Sequence, residues 1–170
     1  LASSSSNDGN ISGNHGTAGY TDAVLMKLDA SGNLLWSKCY GGSKNDELLD
    51  MQVVNGSLYL CGYANSTDGD IPPSQKNYDV WVLALDANGN KMYSKVYGGA
   101  QNDVAYAMCS GKDGSFTLAG YTTSNDGDVS GAHGGQDYWI INITRTGKLN
   151  WQRDAGGSEA DYASSVFADE

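Results

Sequence analysis

One block of about 57 residues is written three times along this chain, and that period constrains the fold more than any other feature. Gly41-Gly42 recurs as Gly98-Gly99 and Gly156-Gly157, steps of 57 (98 − 41) and 58 (156 − 98) residues. Trp36, Tyr93 and Trp151 keep these steps, as do Asp46, Asp103 and Asp161, and Asp22, Asp79 and Asp137. An Asp-Gly pair returns as Asp8-Gly9, Asp68-Gly69 and Asp126-Gly127. A repeat of this length, built only from strand and turn signals, points to a propeller or a tandem array.

Each unit holds four strand-like runs, a to d. Run a is Ala23–Leu28, Val80–Leu85 and Tyr138–Ile143. It is nearly all apolar, which suits a strand covered on both faces. Run b is Leu34–Tyr40, Lys91–Tyr97 and Leu149–Ala155, run c is Leu48–Val53, Ala105–Cys109 and Tyr162–Phe167, and run d is Ser57–Tyr63 and Ser115–Tyr121. Leu1–Ser3 reads as the remnant of another d. Asn55-Gly56 and Asp113-Gly114 between c and d favour tight hairpins, because both residue types tolerate positive φ. No stretch carries a sustained helical period, and Pro72 and Pro73 fall in a loop, where no ladder N–H is lost. The expected fold is all-β: propeller blades of four antiparallel strands, with run a innermost and the more polar runs toward the rim. A β-solenoid is the rival, but its repeats are usually shorter, roughly 20–30 residues.

The whole chain, 1–170, reads as a single segment with repeats at about 5–63, 64–121 and 122–170, the last incomplete. Propellers close with about four to eight blades. The expectation is therefore either the remainder of a longer propeller or a ring closed by homo-oligomerisation, such as three blades plus three. In such a ring Leu1–Ser3 of one copy would complete the last blade of another.

A formal net charge of −10 argues against nucleic acid and anionic membranes, which need clustered Lys and Arg. No apolar stretch approaches the roughly 20 residues of a membrane span. Cys39, Cys61 and Cys109 are odd in number and lack metal-site spacing, so they read as small apolar residues.

Alternation puts the long d-to-a and b-to-c loops on one face and the short hairpins on the other. Binding groups concentrate in longer loops. Three sets of residues fall on the loop face. Asp8 and Asn10, Asp68 and Asp70, and Asp126 and Asp128 place oxygens two residues apart around a Gly, which suits Ca²⁺. They equally suit an Asx-type turn, since the EF-hand string and its distal Glu are missing. Asp46, Asp103 and Asp161 form either a ring of ligand-binding carboxylates or a device that ties down loop N–H groups in every unit. His15 and His133 occupy matching loop positions, with Gln75 in the middle unit, and no partner spacing marks them as metal ligands. The aromatic residues Trp36, Tyr93, Trp151, Trp81 and Trp139 read as packing between units, with sugar stacking as the alternative.

The string Ser124-Asn-Asp-Gly-Asp-Val-Ser-Gly131, then His133-Gly-Gly-Gln-Asp-Tyr-Trp139, Gly147-Lys-Leu-Asn-Trp151 and Gly156-Gly157, resembles the secreted bacterial β-propeller repeat family found in surface proteins of anaerobic gut bacteria. The resemblance covers the chain three times over. It implies a propeller, an extracellular or cell-surface setting and a multi-repeat parent, and it brings no catalytic residues with it. The middle unit departs from the pattern at Ile71-Pro72-Pro73. The functional expectation is a non-enzymatic module for adhesion, ligand binding or scaffolding, with a glycan or a surface protein as partner. The alternative is a carbohydrate-active hydrolase or lyase with its site near the axis, although no carboxylate pair is peculiar to one unit.

Overall fold

The computed structural model describes residues 1–16, 19–73 and 77–169. Among them there is no helix, and eleven strands form three antiparallel sheets. The strands are β1 (Ala2–Ser4), β2 (Asp22–Leu28), β3 (Leu34–Tyr40), β4 (Asp46–Val54), β5 (Ser57–Ala64), β6 (Asp79–Leu85), β7 (Lys91–Tyr97), β8 (Asp103–Ser110), β9 (Phe116–Thr122), β10 (Asp137–Ile143) and β11 (Leu149–Ala155). The sheets run β1-β2-β3, β4-β5-β6-β7 and β8-β9-β10-β11.

This order corrects the expected position of run a. Each full sheet reads c-d-a-b, taking c and d from one sequence unit and a and b from the next. Run a is therefore an interior strand, not the innermost edge. Its composition follows from that place. In β6, Val80, Val82 and Ala84 face one hydrophobic cluster with the third sheet, while Trp81, Leu83 and Leu85 face another with the first. A strand buried on alternate sides by two neighbours must be apolar at every position. Run b lies at the far edge and is the most exposed strand of its sheet.

The third c run is also corrected, since Tyr162–Phe167 forms no strand. It begins as its counterparts do, with Asp161 N–H donating to the Gln136 carbonyl at 2.6 Å, as Asp46 donates to Thr21 and Asp103 to Tyr78. Its one further backbone bond among the described residues runs from Ala163 N–H to the Gly120 carbonyl of β9 at 3.1 Å, and a single bond does not make a ladder. β1 takes the d position, antiparallel to β2 of its own chain, with Ala2 opposite Val24.

Consecutive sheets pack face to face through the same contacts. The Tyr40 hydroxyl donates to the Gly89 carbonyl in the a-to-b turn of the next sheet at 2.6 Å. The Tyr97 hydroxyl does the same to Gly147, one sheet further, at 2.7 Å. Trp36 lies against Gly89 and Tyr93 against Gly147, so each b-strand aromatic abuts the following turn. Trp151 has no following sheet within the chain and is 43% exposed. Trp81 and Trp139 are buried, their indole N–H groups donating to Ser94 Oγ and Gln152 Oε1.

The hairpins differ in detail. Asn55 and Gly56 both take positive φ, 52° and 80°, as a two-residue type I′ turn requires. Asp113-Gly114 does not, because only Gly114 is positive; Gly111 N–H closes a longer loop onto Ser115, and Asp113 accepts from Ser115 N–H. The cysteines are free, with Cys61 buried and Cys39 and Cys109 half-buried. Cys39, on β3, and Cys61, on β5, lie in different sheets.

Candidate functional site

Strand alternation brings the d-to-a and b-to-c loops to one face, where they grip each other. Asp70 N–H donates to the Gly41 carbonyl at 2.8 Å, and Asp128 N–H repeats this on Gly98 at 3.0 Å. Asp68 Oδ1 accepts from Ser43 N–H at 2.8 Å, and Asp126 Oδ1 from Ala100 N–H at 2.7 Å. Asp70 Oδ2 and Asp128 Oδ2 accept from Gly41 and Gly98 N–H at 3.4 and 3.3 Å, and Asp70 Oδ1 meets Lys91 Nζ at 2.5 Å. The approach is so close that a Cβ on Gly42 or Gly99 would lie 2.5 or 2.4 Å from the Asp68 or Asp126 carboxylate. The Asp-Gly loops thus work as latches that hold the chain where it passes from one sheet to the next. In the first unit, the Asp8 and Asn10 carbonyls accept from Ile11 N–H and the Ser37 hydroxyl, and no preceding Gly-Gly loop exists in the chain for Asp8 to latch.

Asp46 and Asp103 are fully buried behind these latches. Asp46 Oδ2 accepts from Gly42 N–H at 2.8 Å and Ser66 Oγ at 2.5 Å, and its Oδ1 from Asn65 and Ser66 N–H, both at 3.0 Å. Asp103 accepts from Gly99 N–H at 2.8 Å, from Ser124 Oγ at 2.9 Å and from the Thr122 hydroxyl. Asp161 keeps only the equivalent bond from Gly157 N–H, at 2.9 Å. The Asp46 and Asp103 oxygens are engaged by loop N–H and hydroxyl groups, and Asp161 carries a single such bond. Burial pushes the Asp103 carboxyl above the ordinary carboxylate range, against the hydrogen bonds that favour its ionised form.

The strand-opening aspartates are buried too. The backbone N–H of His15 donates to Asp22 Oδ2 at 2.6 Å and that of His133 to Asp137 Oδ2 at 2.8 Å, so the two histidines occupy equivalent places despite different spacings. Gln75 lies outside the described residues. The His15 ring Nδ1 sits 3.1 Å from Asp22 Oδ2, whereas the His133 ring turns toward Asp154, with Nδ1 3.6 Å from Oδ2. His133, Asp137 and Asp154 each bring one ligand atom within 4.8 Å of the others, the one group of three that does so among the described residues.

The same face holds a cleft that sequence reasoning missed. Tyr63, Tyr78, Val104, Tyr106 and Tyr121 line it, with a volume of about 270 Å³. Tyr63 and Tyr78 meet edge-on at 5.1 Å, Tyr106 and Tyr121 tilt together at 5.9 Å, and Tyr162 packs edge-on against Tyr106 at 6.4 Å. Burial, reinforced by the neighbouring Glu47 carboxylate, raises the Tyr63 phenol, and burial raises Tyr121 as well. These two phenols, Tyr63 and Tyr121, therefore stay neutral and offer hydroxyls beside ring faces. The visible signal was the repeated Gly-Tyr that ends each d run, Gly62-Tyr63 and Gly120-Tyr121. Nothing local ties Tyr78 or Tyr106 to it.

No family model matches the chain. It is similar to the regulatory protein FlaEY of Caulobacter vibrioides, at 27% identity over 162 residues, covering 87% of this chain. The chain spans 17% of that protein's length. No helix among the described residues is long and apolar enough to cross a membrane.

Proposed function

We propose that this chain is part of a β-propeller at the bacterial surface and binds carbohydrate, without turnover, through the tyrosine cleft on its loop face. The carrying observation is that cleft, a concavity of four tyrosines and one valine at the loop ends of two adjoining sheets. Its volume falls just under the roughly 300 Å³ of the smallest common ligand pockets, which suits a single sugar ring. Flat aromatic faces take the C–H side of such a ring, and neutral hydroxyls orient its polar edge. Glu47, against Tyr63, supplies a carboxylate acceptor at the margin.

The propeller reading rests on the recurrence of one junction. Two successive sheets have the same strand order, and the tyrosine-to-turn bond that joins the first to the second also joins the second to the third. In this reading run c lines the axis, since β4 and β8 of adjoining sheets touch while run b lies outermost. The remaining blades come from a longer parent or from further copies, and they cover the exposed Met26 and Leu28 at one flank and Tyr138 and Trp151 at the other.

A hydrolase or lyase in the same place is disfavoured by the carboxylates. Glycosidases need two that reach the substrate, and Asp103, next to the cleft-lining Val104, is buried and engaged by three donors. A glycan array paired with a turnover assay on the bound sugars tests this reading. Binding with the sugar recovered intact is expected. Cleavage, or an array blank across all glycans, refutes it.

A further inference from the structure

We propose that His133, Asp137 and Asp154 form a site for a first-row divalent transition-metal ion such as Zn²⁺. This goes beyond the carbohydrate reading and uses none of its residues.

The construction begins at the strands. Asp137 opens β10 and Asp154 lies on β11 opposite Trp139, so both carboxylates stand at the loop end of one hairpin. The connecting loop is fastened over them. Gln152, two residues before Asp154 and therefore on its face of the strand, donates from Nε2 to Ser130 Oγ at 2.7 Å and to the Ser130 carbonyl at 3.1 Å. Gly131 follows with φ of 97°, and its missing side chain leaves room for the Asp154 carboxylate; a Cβ there would lie 2.8 Å from Oδ1. Two residues on, the His133 N–H is held by Asp137 Oδ2 at 2.8 Å, which hangs the imidazole above Asp154.

The independent sign of a ligand is an unsatisfied carboxylate. The Asp154 side chain is 9% exposed, and its Oδ2 is buried with no hydrogen-bond donor. That oxygen faces the His133 Nδ1 at 3.6 Å. Asp137 is fully buried, and its Oδ1 has no hydrogen-bond partner, but the same holds for Asp22 in the first unit, so Asp154 is the sign peculiar to this one. A buried carboxylate oxygen without a donor is costly, and a cation removes the cost. Ligands about 2.0–2.1 Å from Zn²⁺ in a tetrahedral set stand about 3.4 Å apart, so His133 and Asp154 already have that separation. One imidazole and two carboxylates favour such an ion over Ca²⁺, which takes six to eight oxygens. With three protein ligands, water completes the set.

The chain contains its own comparison. In the first unit the residue at the Asp154 position is Cys39, opposite Val24, and the loop histidine is His15. In the middle unit the strand position is Val96, opposite Trp81, and the sequence has Gln75 in place of histidine. Histidine in the loop thus goes with a metal-ligating residue on strand b, and both are absent together. Among the described residues only the third unit brings three such ligand atoms within 4.8 Å of one another.

Zn²⁺ titration against a chromophoric competitor tests the site on the whole chain, with circular dichroism confirming each fold. The wild type should take one ion per chain. His133→Ala and Asp154→Asn should each weaken it by more than the roughly 10- to 100-fold that even an outer-shell partner is worth. His15→Ala and Cys39→Ser should leave it unchanged. Zn²⁺ should raise the Tm of the wild type and not that of Asp154→Asn, and it should shift the His133 ring nitrogens in the wild type, which needs no substitution. Wild-type affinity retained by either third-unit variant overturns the proposal. So does a loss that follows His15 or Cys39, or a wild type that binds no Zn²⁺.

Discussion

Replacing Asp46 with alanine tests the claim that this repeated aspartate holds the sheets' crossing loops and is not a ligand group. In the folded chain its two oxygens receive three backbone N–H groups, from Gly42, Asn65 and Ser66, together with the Ser66 hydroxyl. The hydroxyl can turn to another acceptor, but the three amides are fixed. A buried donor left without a partner costs about 1–3 kcal/mol, and some are rehydrated through the opening the mutation creates. The expected loss for Asp46→Ala is therefore about 3–5 kcal/mol. For a chain of this length that lowers Tm by about 6–20 °C. Asp161→Ala, which removes one bond at an exposed site, should cost less than about 1 kcal/mol. Urea unfolding followed by the fluorescence of the buried Trp81 and Trp139 measures both. Equal losses for the two variants, or an Asp46→Ala within about 1 kcal/mol of wild type, would refute the reasoning. A binding defect in Asp46→Ala at full stability would restore it as a ligand residue.

Gly120→Ala should destabilise the third sheet by about 3 kcal/mol or more, because a Cβ there would lie 1.9 Å from the Val104 carbonyl, opposite the bulge in β8; a stability change under about 1 kcal/mol in the same urea assay would contradict it. Asp22 and Asp103 both have raised carboxyl pKa values, chiefly through burial, so their contribution to stability is present below the ordinary carboxylate value and lost as pH rises through the raised one. Calorimetry should accordingly find a Tm at pH 5 no lower than at pH 7, and a clear fall would count against the burial argument. Ca²⁺ added to metal-free protein should leave Tm unchanged, because Asp68, Asp70, Asp126 and Asp128 already accept from loop N–H groups; a rise with Ca²⁺ would favour the acidic loops as a cation site. Tyr106→Ala should weaken binding of the array's best glycan by about 1–2 kcal/mol, roughly tenfold in Kd, with fold and Tm retained; unchanged affinity by calorimetry would remove the cleft from the account.

Much of the fold was legible in the sequence. The apolar a runs and their turns marked β2, β6 and β10 to within a residue, since a strand covered on both sides cannot hide its composition. Which strands share a sheet was not legible. Cutting the repeat as a-b-c-d or as c-d-a-b leaves every local pattern the same, and only the pairing of β5 with β6 across the long loop decides. The run Tyr162–Phe167 carried a strand pattern but has, among the described residues, only one backbone bond to a strand, from Ala163 to Gly120, which no single-strand signal reports. The aspartates were visible as a periodic set, and their tie to loop amides was one of the two readings open. The cleft and the His133 cluster were not visible. Tyr63 and Tyr106 are 43 residues apart (106 − 63), and Asp154 stands 21 residues from His133 (154 − 133), so neither makes a local motif. Both arise from strand register, which the sequence fixes only through the completed sheets.

Backbone amide shifts recorded while the best-binding glycan is titrated into the labelled protein test the functional account most directly. The largest changes should fall together on Tyr63, Tyr78, Tyr106 and Tyr121, with the Asp-Gly latches unmoved. Changes centred on Asp68, Asp126 or the strand-b aromatics instead, or none at saturating sugar, would contradict it.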